Sequence, residues 1–212
     1  MAEQSNPLTI SQRPAFPPRL LLLGAAAGFL LTLFEMDALE WTFARIAVPH
    51  RWYFGILLAS FLGSLINIPL ARTAPRADGK STIIALNVGG ALVPVGLSTH
   101  LLFVQHGLLQ PALLALAVVI AATYATARPV PGVGIAMPLF LAPVLAAVSA
   151  WLLVPDAPTA VAYVAGSIGT LVGAALLNLR RLGTLGAPVV SIGGAGTFDG
   201  IFLSGLLAAL LA

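Results

Sequence analysis

The stretch AVAYVAGSIGTLVGAALLNL, Ala160 to Leu179, carries no charged residue, and several comparable runs recur along the chain. A helix needs roughly 20 predominantly apolar residues to cross the hydrocarbon core of a bilayer. Long continuous runs of this kind point to helices, because a spanning barrel strand is shorter and alternates. Composition agrees. Hydrophobic residues make up 59% of the 212 and charged residues only 8%, whereas a soluble domain carries about 25% charged residues. The mean hydropathy is +1.01. Such a chain cannot cover a water-facing surface, and the expectation is an all-α, polytopic transmembrane helical bundle. Cysteine is absent, which excludes disulfides and thiolate metal sites.

The runs divide into seven expected spans. Residues 1–18, MAEQSNPLTISQRPAFPP, read as a flexible cytoplasmic tail, and 19–212 as a single transmembrane domain with no separate soluble unit. The first span follows Arg19. Its basic flank resembles a signal peptide, but no small-residue cleavage site ends it, so a retained span is expected. FEMDALEWTFARIAVPHRW then leaves the membrane as an interfacial helical turn. The remaining spans lie in YFGILLASFLGSLINIPL, STIIALNVGGALVPVGLSTHLLF, PALLALAVVIAATYATA, MPLFLAPVLAAVSAWLLV, AVAYVAGSIGTLVGAALLNL and VVSIGGAGTFDGIFLSGLLAALLA.

The basic residues orient this arrangement. Arg13, Arg19, Arg72, Arg76, Lys80, Arg128, Arg180 and Arg181 fall on one side, and only Arg45 and Arg51 on the other, eight against two. Positive charge stays inside, so the expected location is the inner (plasma) membrane, with the N-terminus cytoplasmic and the C-terminus outside. The same rule accounts for the net charge of +3, which therefore gives no reason to expect nucleic acid as a partner. The expected partner is the lipid bilayer.

Two regions resemble each other as an internal repeat would. LINIPLAR is followed by a loop and IIALNVGGALVP (spans two and three). LLNLRR is followed by a loop and VVSIGGAGTFDG (spans six and seven). This matches Asn67 with Asn178 and Gly89-Gly90-Ala91 with Gly193-Gly194-Ala195. A Gly-Gly pair costs a helix about 2 kcal/mol relative to Ala-Ala. Interrupted segments at matching positions of two halves point to a binding site. The expected site residues are accordingly Asn87, Gly89, Gly90, Asn178, Gly193, Gly194 and Gly196, although glycines also serve close helix packing.

Of the seven acids, Glu3, Asp78 and Asp156 read as tail or loop residues, and Glu35, Asp37 and Glu40 as an interfacial cluster. Asp199 differs. It lies about ten residues into the last span with no basic residue at comparable depth, and an intramembrane ionisable residue is a functional-site hypothesis by default. A carboxyl beside interrupted helix suits proton or ion coupling in a transporter, or one half of a dyad in which two carboxyls share a proton and activate water. Other templates fail. His50, His100 and His106 lack ligand spacing, so neither metal nor other cofactor is expected. The serines lack a His or Lys base at matching depth, and GGAG follows no strand and makes no phosphate loop.

The motifs NVGGALVPV, RPVPGVGIAMPLF, GTLVGAALLNL and SIGGAGTFDGIFLSGLLA together resemble a prokaryotic membrane family known as domain of unknown function 1614. The resemblance runs from span two to the C-terminus and implies several spans and no assigned activity. Where this chain reads GAALLNL, the family pattern implies Gly-Ala-Asp-Leu-Leu. Ala175 thus stands at the place of a second intramembrane acid, either as a natural variant or as a deliberate replacement. With an acid there, the arrangement is similar to intramembrane aspartyl proteases of the presenilin and signal-peptide-peptidase type, which carry one Asp on each of two successive helices. GAGTFDGIFLSGLL is similar to their Gly-x-Gly-Asp motif, with two extra residues before the acid and no Pro-Ala-Leu motif after it. This resemblance implies catalytic positions at Asp199 and Ala175, in a form that is inactive as it stands, and a transmembrane substrate helix as partner beside the lipid bilayer. The alternative is a small-solute or ion transporter with a mid-membrane site at Asp199, and a scaffold role is the third class. Position 175 lies about 7–8 Å from the cytoplasmic end of its span and Asp199 nearer 16 Å if its span were fully helical. The two meet only if the helices tilt or SIGGAG runs outside the helix.

Overall fold

Proline and glycine punctuate the apolar runs into their elements. The computed structural model describes residues 23–28, 38–74, 81–130, 134–182, 187–194 and 200–212. After a helical turn at 23–28, helix α1 (Ala38–Arg45) precedes α2 (His50–Gly63). Helix α3 (Val93–Val104) continues a π-helical turn, Val88–Leu92. Helix α4 (Leu109–Thr126) stops where Arg128-Pro129 forces extended backbone, with Ala127 already at ψ 124°. Helix α5 (Leu141–Leu153) ends just before Pro155. Helix α6 (Pro158–Thr170) opens with proline in its first turn, where no backbone donor is needed. It passes into a second π-helical turn, Leu171–Ala175, then a 3-10 turn, Leu176–Asn178, and short α7 (Leu179–Leu182). Helix α8 spans Gly200–Leu211.

Helix α6 is the axis of the molecule. All of its residues but Ile168 are buried, against α3, α4, α5 and α8. Small residues make this possible. A Cβ on Gly166 would come within 2.5 Å of the Ser204 carbonyl oxygen, and one on Gly169 within 2.6 Å of Val119. Ala112, Ala115, Ala142, Ala146 and Ala150 are fully buried around it. Phe43, Leu101, Phe202 and Leu206 are buried with them, yet many large apolar side chains point outward: Trp52, Phe103, Leu113, Phe140 and Trp151 are all more than half exposed. Among the described residues, two helices, Leu109–Thr126 and Pro158–Arg181, are long and apolar enough to cross a membrane.

The chain is mainly helical, as expected, but three expected spans contain extended segments. β1 (Asn67–Arg72) pairs antiparallel with β2 (Ile83–Asn87), and β2 pairs parallel with β5 (Val189–Ile192). A short hairpin joins β3 (Arg128–Val130) to β4 (Gly134–Ala136). Span two therefore ends as a helix at Gly63, and spans three and seven begin as strands. The β-branched residues Ile83, Ile84, Val189 and Val190 favour the pleated conformation. A short apolar run of that kind cannot be told from the start of a helix by periodicity.

Hydrogen bonds tie together the two ends of the bundle. At the sheet end, Thr82 Oγ1 donates to the Ala187 carbonyl at 2.8 Å, and Arg181 lies 5.9 Å from the centre of the Tyr124 ring. At the other end, Gln105 Nε2 donates to the Ile46 carbonyl at 2.9 Å and an Arg45 guanidinium nitrogen to the Ala212 carbonyl at 3.0 Å.

Candidate functional site

The sheet, both π-helical turns and the start of α8 meet in one apolar cluster. Ala91, Leu171, Val190, Ile192 and Ile201 are buried in it, with Ala175, Ile135 and Leu179 packed against them. π-helical turns are rare and concentrate at functional sites, because the extra residue re-aims neighbouring side chains and frees a carbonyl. Here one such turn carries Gly89 and Gly90 and the other ends on Ala175.

Asn87 organises the first of these turns. Its side chain is fully buried, and its Oδ1 accepts from the Gly90 N–H at 2.8 Å. Its Nδ2 donates to the Ser64 carbonyl at 2.8 Å, the Ile66 carbonyl at 3.2 Å and Asn67 Oδ1 at 3.1 Å. Ser191 Oγ on β5 also donates to Asn67 Oδ1, so one polar cross-link runs over all three strands. Ser60 Oγ donates to the Gly89 carbonyl at 2.8 Å. Ser60, Ser64 and Ser191 were missed by the sequence reading, since isolated serines in apolar runs carry no spacing signal.

The glycines serve close approach. A Cβ on Gly89 would lie 1.9 Å from the Ser60 carbonyl oxygen, inside any physical contact distance. Gly193 has φ +75° and turns the chain out of β5, against the Gly90–Ala91 peptide. Gly194 N–H donates to the Ser191 carbonyl at 3.2 Å, closing that turn. The SIGG portion of the last span thus runs as strand and turn rather than helix.

Asn178 and Ala175 sit one turn apart at the end of the α6 segment. Asn178 Nδ2 donates to the Gly173 carbonyl at 2.9 Å, satisfying a group the π-helical turn leaves open. Its Oδ1 is buried and has no partner, which costs roughly 1–3 kcal/mol unless a donor reaches it. Asp199 and Gly196 lie outside the described residues. Their neighbours on the chain do not: Ile192 and Ile201 both enter the cluster against which Ala175 packs. Glu40 and Asp156, the acids among the described residues, are both exposed, and no group of three metal-ligating side chains occurs among the described residues.

The matched motifs do not occupy equivalent elements throughout. Asn67 opens a strand, whereas Asn178 closes a 3-10 turn. Gly89 comes three residues after Leu86, and Gly193 one residue after Ile192, the residue paired with Leu86. The triplets are thus staggered by two positions along paired strands, and touch each other.

A mainly helical chain with interrupted apolar segments and a glycine-lined junction is the class these features define. The chain belongs to the family described as Protein of unknown function (DUF1614), whose model matches residues 44–211. No curated protein and no solved structure matches it.

Proposed function

We propose that this is an integral membrane protein of about seven spans whose functional centre is the junction of Ala175, the Gly193 turn and Asp199. The packing supports the membrane reading, with many alanines among the buried residues and large apolar side chains such as Trp52, Phe103 and Trp151 turned outward. So does the gathering of Arg72, Arg128, Arg180 and Arg181 on segments that meet at the sheet end, opposite Arg45. A strand is tolerated at membrane depth only where protein covers its backbone groups, and β2 lies between two partners. The N-terminus is then cytoplasmic and the C-terminus external, in the inner (plasma) membrane, with residues 19–212 one transmembrane domain behind a tail of 1–18.

Within that frame the activity we infer is that of an intramembrane aspartyl-protease-like protein. One observation carries it: Ala175, at the end of a π-helical turn, packs against the cluster that contains Ile201, two residues beyond Asp199. A carboxyl at 175 would enter the neighbourhood of the segment carrying the other. One ionised carboxyl would take a proton from water as its oxygen attacks the scissile carbonyl, while the protonated partner donates to the carbonyl oxygen. Ala175 removes half of this. The test is cleavage of membrane-anchored peptides by the Ala175→Asp form, the present chain, and an Ala175→Asp, Asp199→Asn form. Cleavage by the first alone is expected, and equal cleavage by the present chain overturns the dyad.

A transporter is the second reading, favoured by Gly193 seated on Gly90 and Ala91, which brings two interrupted segments together as paired half-helices do. Asn87 would not line its site, since both ends of its amide are engaged. Solute flux lost on Asp199→Asn, without any protease activity in the Ala175→Asp form, would select it.

A further inference from the structure

Most buried hydroxyls in a helix satisfy themselves by donating back to the carbonyl four residues earlier. Buried Thr123 does so here, onto Val119 at 2.7 Å, as do half-buried Thr126 onto Ala122 at 2.8 Å and exposed Thr99 onto Val95 at 2.9 Å. A second set does not. Tyr163, Ser167 and Thr170 recur at i, i+4 and i+7 on α6, along one face, and their hydroxyls are buried with no back-bond to the helix, Tyr163 approaching Ser167 alone. Ser204 on α8 and Ser98 on α3, two helices that pack on α6, are buried and unpartnered in the same way. Ser167 Oγ lies against Gly205 of α8, 1.8 Å from where a Cβ on that glycine would be.

We propose that this face of α6 holds a file of bound water molecules inside the bundle. Water is the ligand that fits, because each hydroxyl both donates and accepts and the buried side chains around them are mainly apolar. Tyr163 to Thr170 spans seven residues, about 10 Å along the helix axis, the length of a file of roughly three to four waters at hydrogen-bond spacing. Thr170 immediately precedes the π-helical turn at Leu171–Ala175, so the file ends beside the candidate site and supplies it with water and protons. The inference concerns α6 alone and does not depend on the activity proposed above.

Tyr163 is a built-in probe, since brief synchrotron X-ray pulses make hydroxyl radicals from bound water and oxidise the side chains beside it. The experiment is footprinting of the full chain in nanodiscs, with buried Phe43 as the dry control and Tyr124, beside Arg181, as the wet one. Oxidation of Tyr163 well above that of Phe43 is expected, with its loss in a Ser167→Ala, Thr170→Val variant. Protection of Tyr163 equal to that of Phe43 in the parent chain overturns the proposal, whether or not the variant folds. Equal oxidation in parent and variant also overturns it, because the water would then not be held by these hydroxyls.

Discussion

Gly193 sits on Gly90 so closely that a Cβ on Gly193 would lie 2.7 Å from the Gly90 carbonyl carbon. The contact joins two parts of the chain a hundred residues apart, and it exists because Gly193 adopts a φ of +75° that side-chain-bearing residues avoid.

Gly193→Ala should therefore destabilise by roughly 2–4 kcal/mol, combining left-handed backbone strain with overlap against rigid backbone. Gly96→Ala is the control. Gly96 lies within α3 with nothing within 4 Å of an added Cβ, and should be neutral or up to about 1 kcal/mol stabilising. Thermal unfolding of both variants in one detergent checks the contrast.

Asn87 offers a second test, because its two ends do different work. Asn87→Ala strands the Gly90 N–H and removes the side-chain donor from the carbonyls of Ser64 and Ile66, the latter keeping the Val88 N–H, a loss of about 2–4 kcal/mol. Aspartate caps a helix as well as asparagine does, yet it cannot donate to those carbonyls. Asn87→Asp should thus fail to rescue stability, and a midpoint equal to the parent's would show that only the cap matters.

Ala47 has a φ of +60° just past α1. The Val48 N–H donates to the Phe43 carbonyl and the Ala47 N–H to the Ala44 carbonyl, a paired closure that usually ends on glycine. Ala47→Gly should stabilise by roughly 0.5–1 kcal/mol, as relief of the backbone strain exceeds the added chain entropy. A raised unfolding midpoint is the expected reading.

The orientation is testable with single labels, since the chain has no cysteine of its own. His106→Cys lies in the α3–α4 turn at the Arg45 end, and Ala74→Cys follows β1 at the sheet end; both positions are exposed. A membrane-impermeant maleimide should label the first on intact cells and the second only after permeabilisation. The reverse pattern would invert the topology.

How much of this was legible in the sequence depends on which physical signal each residue carries. The helical class followed from run length and composition, and the two Gly-Gly pairs, Gly89-Gly90 and Gly193-Gly194, fall in a π-helical turn and a turn after a strand. The strands were not foreseen. Ile83–Asn87 and Val189–Ile192 continue apolar runs whose later parts are helical, and only long-range pairing makes them extended. Asn87 was chosen as a site residue, but its partners, Ser64 and Ile66, lie on a segment read as continuous helix. The equivalence of Asn67 with Asn178 failed to appear because short motifs match in composition while strand and turn differ in backbone.

The pairing of β2 with β5 also dictates an order of events during synthesis. β2 leaves the ribosome about a hundred residues before Val189, its parallel partner, exists. Through that interval one row of its backbone N–H and C=O groups has only temporary company, from β1, water or an assisting factor. The junction holding Gly90 against Gly193 is hence among the last parts of the molecule to assemble, and a chain halted before Val189 would carry an open strand edge instead of a finished site.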